Sequence, residues 1–170
     1  KGAEYYISVD YGTLNPFSAG LWCVLGDKAV RVKEYYYSGR DKNRQLTDEE
    51  YCDEIDKLSA GLNIRRVIVD PSAASFITAL HRRGYFISKA NNDVLDGIRI
   101  TAECLRGGNV KISRSCVDSI REFGLYSWND KSSTDAVIKE NDHAMDDIRY
   151  FCATELMRRV GKKEYKSIFG

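Results

Sequence analysis

The sequence has no apolar run approaching the ~18 residues that a membrane-spanning helix needs. Its start lacks the basic, apolar and small-residue succession of a secretory signal. It has almost no net charge, +1 at pH 7 with histidine neutral. That excludes polyanion binding by overall field, so any nucleic-acid contact must be local. It also lacks a Cys-x-x-Cys pair. The five cysteines, Cys23, Cys52, Cys104, Cys116 and Cys152, are odd in number and widely spaced, and neither histidine stands at zinc-ligand spacing from them. They read as buried, reduced thiols of a cytosolic protein. There is no internal repeat and no low-complexity tract.

What remains is a chain of 170 residues with ordinary globular composition, enough for one domain with a sizeable core. Its first residue is Lys, which suggests a domain cut from a longer protein or a processed product. Residues 1–160 are expected to form the domain and residues 161–170 a frayed tail. Basic residues bunch at Arg31, Lys33, Arg40, Lys42 and Arg44, at Arg82 and Arg83, and at Lys162 and Lys163. Each bunch reads as a solvated face.

Tyr5–Asp10 is β-branched and aromatic and stops at Tyr11-Gly12, which predicts a central strand ending in a carboxylate. A charged Asp without a partner at the tip of a buried strand costs on the order of several kcal/mol. Such a residue closes the strand as an Asx turn or has a chemical use. After the loop 12–16 come strands over Phe17–Leu25 and Ala29–Tyr37, joined by Gly26-Asp27, with alternation through Val30, Val32 and Glu34. Thr47 and Glu50 form a capping box for a helix to about Ala60. Val67-Ile68-Val69 is a strand buried on both faces, ending at Asp70. Asp70-Pro71 suits a helix start, with Asp as cap and Pro at the first position. Helices follow to Arg83, from Asn91 to Leu105, and over 117–126, with short strands at 85–88 and 110–112. Residues 128–140 read as an irregular hairpin or loop, and a last helix runs from about Asp142 to Met157.

This order predicts an α/β fold with a central mixed sheet of five or more strands and helices on both faces. Right-handed crossovers would set the Asp70 strand parallel to the first and beside it. Ligands in such sheets sit beyond the carboxyl ends of strands. Asp10 and Asp70 therefore share one edge. In the last helix, Met145, Ile148, Cys152 and Leu156 define the buried stripe, Asp146 and Asp142 lie on its border, and Asp147 is assigned to solvent. His143 can share a rim with Asp146. Three gathered carboxylates raise one another's pKa, and Mg²⁺ or Mn²⁺ resolves the repulsion. Two such ions about 3.5–4 Å apart can clamp the attacking and leaving oxygens of a phosphodiester. Asp10 is the natural bridge. Trp128 and Tyr35–Tyr37 read as packing residues.

Three segments resemble a known family: Ser8-Val9-Asp10-Tyr11-Gly12 with Asn15-Pro16; Ile68-Val69-Asp70-Pro71-Ser72; and the run from Lys139 through Asp142, His143 and Asp146 to Arg149-Tyr150. They are similar to the C-terminal nuclease domain of tailed-bacteriophage terminase large subunits, of the ribonuclease H-like superfamily. The resemblance implies a ribonuclease H-like fold and a metal-dependent endonuclease that cuts concatemeric viral DNA during genome packaging. It implies Asp10, Asp70 and Asp146 as catalytic metal ligands for Mg²⁺ or Mn²⁺ and His143 as a catalytic-site neighbour; the helix-face position of Asp142 makes it a candidate further neighbour or a helix N-cap. Many members of the family carry Ala at the position of Asp147. Lys131 and Lys139 are expected DNA contacts. Implied partners are double-stranded DNA, an upstream ATPase motor domain, the terminase small subunit and the portal, in the cytoplasm of the host cell and with no membrane. No Gly-Lys-Ser/Thr phosphate loop is present in this chain. The alternatives are a resolvase- or transposase-type nuclease of the same fold and a non-catalytic DNA-binding assembly module. An actin-like phosphotransferase would need a second glycine-rich phosphate loop and a much longer chain.

Overall fold

The computed structural model describes residues 2–125 and 142–160. Residues 128–140, with Lys131 and Lys139, and the tail 161–170 lie outside them. The described chain folds as β1 (Glu4–Asp10), β2 (Phe17–Leu25), β3 (Lys28–Tyr37), α1 (Asp48–Ser59), β4 (Ile64–Val69), α2 (Ala74–Arg82), β5 (Ile87–Lys89), α3 (Val94–Arg106), β6 (Val110–Ile112), α4 (Val117–Leu125) and α5 (His143–Phe151). A π-helical turn, Cys152–Leu156, continues α5.

Six strands form one mixed sheet in the order β5-β4-β1-β2-β3-β6. β1 and β2 are antiparallel, as are β2 and β3, while β4 lies parallel to β1 with Val9 opposite Val69. Strand side chains alternate between faces, and here they split the core in two. Ile7, Val9, Phe17, Ala19, Leu21, Val67 and Val69 meet α1 and α2 through Tyr51, Ile55, Phe76 and Leu80. Tyr6, Trp22, Val24 and Ile68 meet α3 and α5 through Ile100, Cys104, Met145, Ile148 and Phe151. Phe151 stacks on Trp22 with ring centroids 4.0 Å apart, which anchors α5 over β2.

The capping box forms as expected: Thr47 accepts from the Glu50 N–H, and Glu50 accepts from the Thr47 N–H. The expected cap at Asp70 does not. α2 begins at Ala74, and Asp70 instead closes an Asx turn onto the Ser72 N–H at 2.8 Å. All five cysteines are free thiols; Cys23 is half-buried and the others are buried.

β3 departs from simple alternation. Leu21 pairs with Lys33, but Trp22 pairs with Arg31, so Val32 is an extra residue. The bulge turns Arg31 to the same face as Glu34 and Tyr36 and sends Val32 to the opposite core. Arg31, expected on a solvated basic face, is fully buried. Its guanidinium fills the space over Gly20, where an added Cβ would come 1.7 Å from Arg31 Nη1.

Candidate active site

Strand parity aims the two tip carboxylates. Asp10 follows Ser8, and Asp70 follows Ile68, by two positions each, on the face that α5 covers. Both stand one step past the Val9–Val69 pair, at neighbouring carboxyl ends of parallel strands. α5 then lays a polar stripe across this edge. His143, Asp146, Asp147 and Tyr150 recur at i, i+3, i+4 and i+7, within a ~100° arc of the helix. His143 Nδ1 lies 2.8 Å from Asp10 Oδ2. The Tyr150 hydroxyl donates to Asp70 Oδ2 at 3.4 Å. Asp146 is largely buried and accepts from Arg149 Nη2 at 2.9 Å and Nε at 3.2 Å.

Asp147, expected in solvent, is fully buried at the foot of the site. It accepts from Ser8 Oγ of β1, Ser18 Oγ of β2 and both terminal nitrogens of Arg31 of β3. A helix of this kind is covered on both sides. Its apolar stripe meets α3, while its polar stripe meets the serines, Arg31 and the strand tips. The rule that the apolar face marks the buried side therefore misplaces Asp147.

Arg149 received no role from the sequence beyond its place in the family-like segment. Its Nη1 donates to the carbonyls of Asn92 and Asp93, at 3.1 and 3.0 Å, while its other nitrogens hold Asp146. Asn92 in turn donates to Asp70 Oδ2 at 3.0 Å. One guanidinium and one loop thus tie the carboxylates of β4 and α5 together. α3 carries Gly97 where a Cβ would come 2.6 Å from the Arg149 stem. Glu122, buried on α4, accepts from the Ala144 and Met145 N–H groups and so caps α5 just beside His143. Asp142 precedes α5 without a side-chain cap bond and stands 3.9 Å from His143 Nε2.

The strand-tip carboxyls are pushed in opposite directions. Burial raises Asp10 to about 6; the His143 bond pulls against this, and the charges of Asp146 and Asp147 add to it. Burial also works to raise Asp70, but bonds from Ser72, Asn92 and Tyr150 outweigh it and hold the carboxyl below its ordinary value. His143 is raised: burial opposes its charge, but the bond and charge of Asp10, with Asp142 and Glu122, win. Tyr150 is raised by burial and by the charges of Asp10, Asp146 and Asp70 together.

Among the described residues, no group of three or more His, Cys, Asp or Glu side chains is gathered tightly enough to hold a metal ion. The donor chemistry nonetheless suits a hard divalent cation. The three groups offer only carboxylate oxygens, and the neighbouring charges of Asp146 and Asp147 add to the burial that raises Asp10. An open groove of about 310 Å³ runs beside Asp10 and His143, walled by residues 11–15.

No protein-family model and no curated protein matches the chain. Solved structures do. The large terminase of a thermophilic bacteriophage, solved in complex with ADP, is 43% identical, with a TM-score of 0.87 over 90% of this chain and 40% of that one. Together the matches support a terminase nuclease domain. The P22 large terminase nuclease domain matches this chain at 17% identity and a TM-score of 0.70, over 92% of this chain and 82% of that one. The large terminase nuclease of thermophilic phage G20c, solved with bound cobalt, matches at 11% identity and 0.66, over 90% and 81%. These two likenesses are of fold, which is the ribonuclease H-like α/β fold of terminase nuclease domains. The chain spans about two-fifths of the ADP-bound large terminase. Among the described residues, no helix is long and apolar enough to cross a membrane.

Proposed function

We propose that this chain is the nuclease part of a large terminase, a divalent-metal-dependent endonuclease that hydrolyses phosphodiester bonds of concatemeric viral DNA during packaging. The observation that carries the reading is that α5, which bears Asp146, bonds both strand-tip carboxylates: His143 Nδ1 lies 2.8 Å from Asp10 Oδ2, and the Tyr150 hydroxyl donates to Asp70 Oδ2 at 3.4 Å. The 43% identity to the ADP-bound large terminase supports it.

Asp10, Asp70 and Asp146 would hold Mg²⁺ or Mn²⁺. A cation bound there would supply Lewis-acid polarisation of the phosphodiester and offset charge on the departing oxygen, two ions sharing the task. The chain's own residues do the rest. His143 holds Asp10 through Nδ1 and keeps one carboxylate oxygen oriented. Tyr150 and Asn92 orient Asp70, and Arg149 orients Asp146. The bonds from Ser72, Asn92 and Tyr150 keep Asp70 charged, ready to ligate without first losing a proton. The cobalt-bound G20c nuclease supports divalent-metal use. The 43%-identical terminase was solved with ADP and with ATP-γ-S, which supports an ATP-driven motor as the working partner. Double-stranded DNA, the terminase small subunit and the portal complete the proposed setting, the host cytoplasm.

The test is cleavage of linear duplex DNA by metal-stripped protein. Mg²⁺ or Mn²⁺ should restore activity that EDTA removes. Asp10→Asn, Asp70→Asn and Asp146→Asn should each reduce it to background while the protein remains cooperatively folded. Cleavage indifferent to chelation would reject the metal mechanism. Preference for four-way over linear DNA would favour a resolvase-type enzyme.

A further inference from the structure

Sheet register decides which loops flank Asp10. Asp10 pairs with Ser18, and the adjacent Phe17 pairs with Tyr37, so β3 leaves the sheet at the edge where Asp10 sits. Two strand spacings, about 10 Å, separate them. The loop that follows, residues 38–44, docks on the wall of the Asp10 groove. The Arg40 N–H donates to the Leu14 carbonyl at 3.1 Å, and Arg40 Nη2 reaches Asn15 Oδ1 at 3.4 Å. Leu14 and Asn15 line the groove together with Asp10 and His143. The docking is close: a Cβ on Gly39 would come 2.3 Å from the Thr13 carbonyl.

The loop is also braced from within. The N–H groups of Lys42, Asn43 and Arg44 donate to the carbonyls of Ser38, Arg40 and Gly39, and the Tyr37 hydroxyl holds the Arg44 carbonyl at 2.8 Å. Asn43 takes a left-handed backbone, φ 49°. Such a platform holds its side chains at a fixed place on the rim.

Its charges are unspent. Arg44 pairs with Glu50, but among the described residues no carboxylate pairs with the exposed Arg40 or Lys42. Several other arginines are neutralised: Arg83 by Glu49, Asp53 and Asp56, Arg99 by Asp96 and Glu103, Arg159 by Glu4 and Glu155. Asp41, between the two, leaves the stretch net positive. An open groove with an acidic floor and a basic rim suits a polyanion whose reacting phosphate lies on the floor while its neighbours meet the rim.

We propose that loop 38–44 grips the phosphate backbone of the DNA strand a few nucleotides from the bond to be cut, through Arg40 and Lys42. This rests on the nuclease reading above and adds to it where the substrate is held. The contact carries no base information, so it acts equally on all sequences.

The experiment is a salt titration of binding to a labelled 30-base-pair duplex in EDTA, with cleavage kinetics in Mn²⁺ alongside. The double variant Arg40→Gln, Lys42→Gln should make the plot of log affinity against log salt shallower by about two, near 0.9 for each lost contact. It should also weaken binding at least tenfold at 100 mM salt. KM should rise with kcat kept within twofold. The variant Arg106→Gln, Lys111→Gln removes the same charge from exposed positions on α3 and β6 and should leave both slope and KM unchanged. Arg40→Lys with Lys42 intact should restore most of the binding, which a misfolded loop would not allow. Wild-type slope and KM in the loop variant overturn the proposal while leaving the nuclease reading intact. Equal losses in the α3/β6 control overturn it too, since general charge would then be the cause. A wild-type protein that neither binds nor cleaves DNA rejects both.

Discussion

The Arg31 guanidinium lies against the Asp147 carboxylate with neither side chain reaching water. Ser8 and Ser18 complete the carboxylate's bonding, and the Trp22 indole N–H donates to Ser8 Oγ at 2.8 Å. Three strands and α5 meet at this one charge pair, directly under His143 and Asp146. Burial pushes Asp147 up while Arg31 and the serines pull against it, and Arg31 keeps its charge.

Removing one partner strands the other. Arg31→Met should cost about 3–5 kcal/mol, because Asp147 is left buried and uncompensated. Arg31→Met with Asp147→Leu should recover much of that loss, since both desolvation costs vanish together. Gly20→Ala should destabilise by about 1–3 kcal/mol, because the pinned guanidinium has nowhere to go. Urea unfolding midpoints check all three.

Arg149→Lys should fail to replace Arg149. A lysine ammonium offers one charge point, whereas the guanidinium serves Asp146 on one side and the Asn92 and Asp93 carbonyls on the other. The expected result is a roughly 10–100-fold weaker Mn²⁺ affinity with the fold kept, as for other residues that orient ligands. Calorimetric Mn²⁺ titration reads it independently of cleavage.

Asp10 makes the metal-free protein pH-sensitive. Its folded pKa, about 6, lies above the ordinary value of 3.8, so the native state holds this proton more tightly than the unfolded chain. Stability from this group is therefore full below about 4 and falls as pH rises through 6. Asp10→Asn should melt higher than wild type at pH 7.5 in EDTA, with the difference shrinking towards pH 4. His143 titrates with Asp10 as a pair, so the transition belongs to both. An Asp10→Asn variant that melts lower than wild type at pH 7.5 would contradict the burial argument.

Thr47→Ala tests the opposite face of the sheet. It removes the cap that the Glu50 N–H uses and should cost about 1 kcal/mol. DNA cleavage at 25 °C should be unchanged, because α1 packs on the sheet face away from α5. Thermal melting with a cleavage assay checks both halves.

Element order, the parallel placement of β4 beside β1, the Thr47 capping box and the positions of Asp10 and Asp70 were legible in the chain itself. Each depends on residues close in sequence or on a chirality that all chains share. The fate of Arg31 and Asp147 was not. An extra residue in β3 reverses strand parity, and such a bulge leaves no local signature distinct from ordinary alternation. A helix packed on both sides buries polar and apolar stripes alike, so periodicity cannot tell which side meets a partner. The tie from Arg149 through Asn92 to Asp70 spans residues far apart in the chain. Local sequence therefore determined the elements and which carboxylates end the strands. Tertiary packing alone decided which charges were buried together and which groups hold those carboxylates, because burial and pairing energies exist only once distant segments meet.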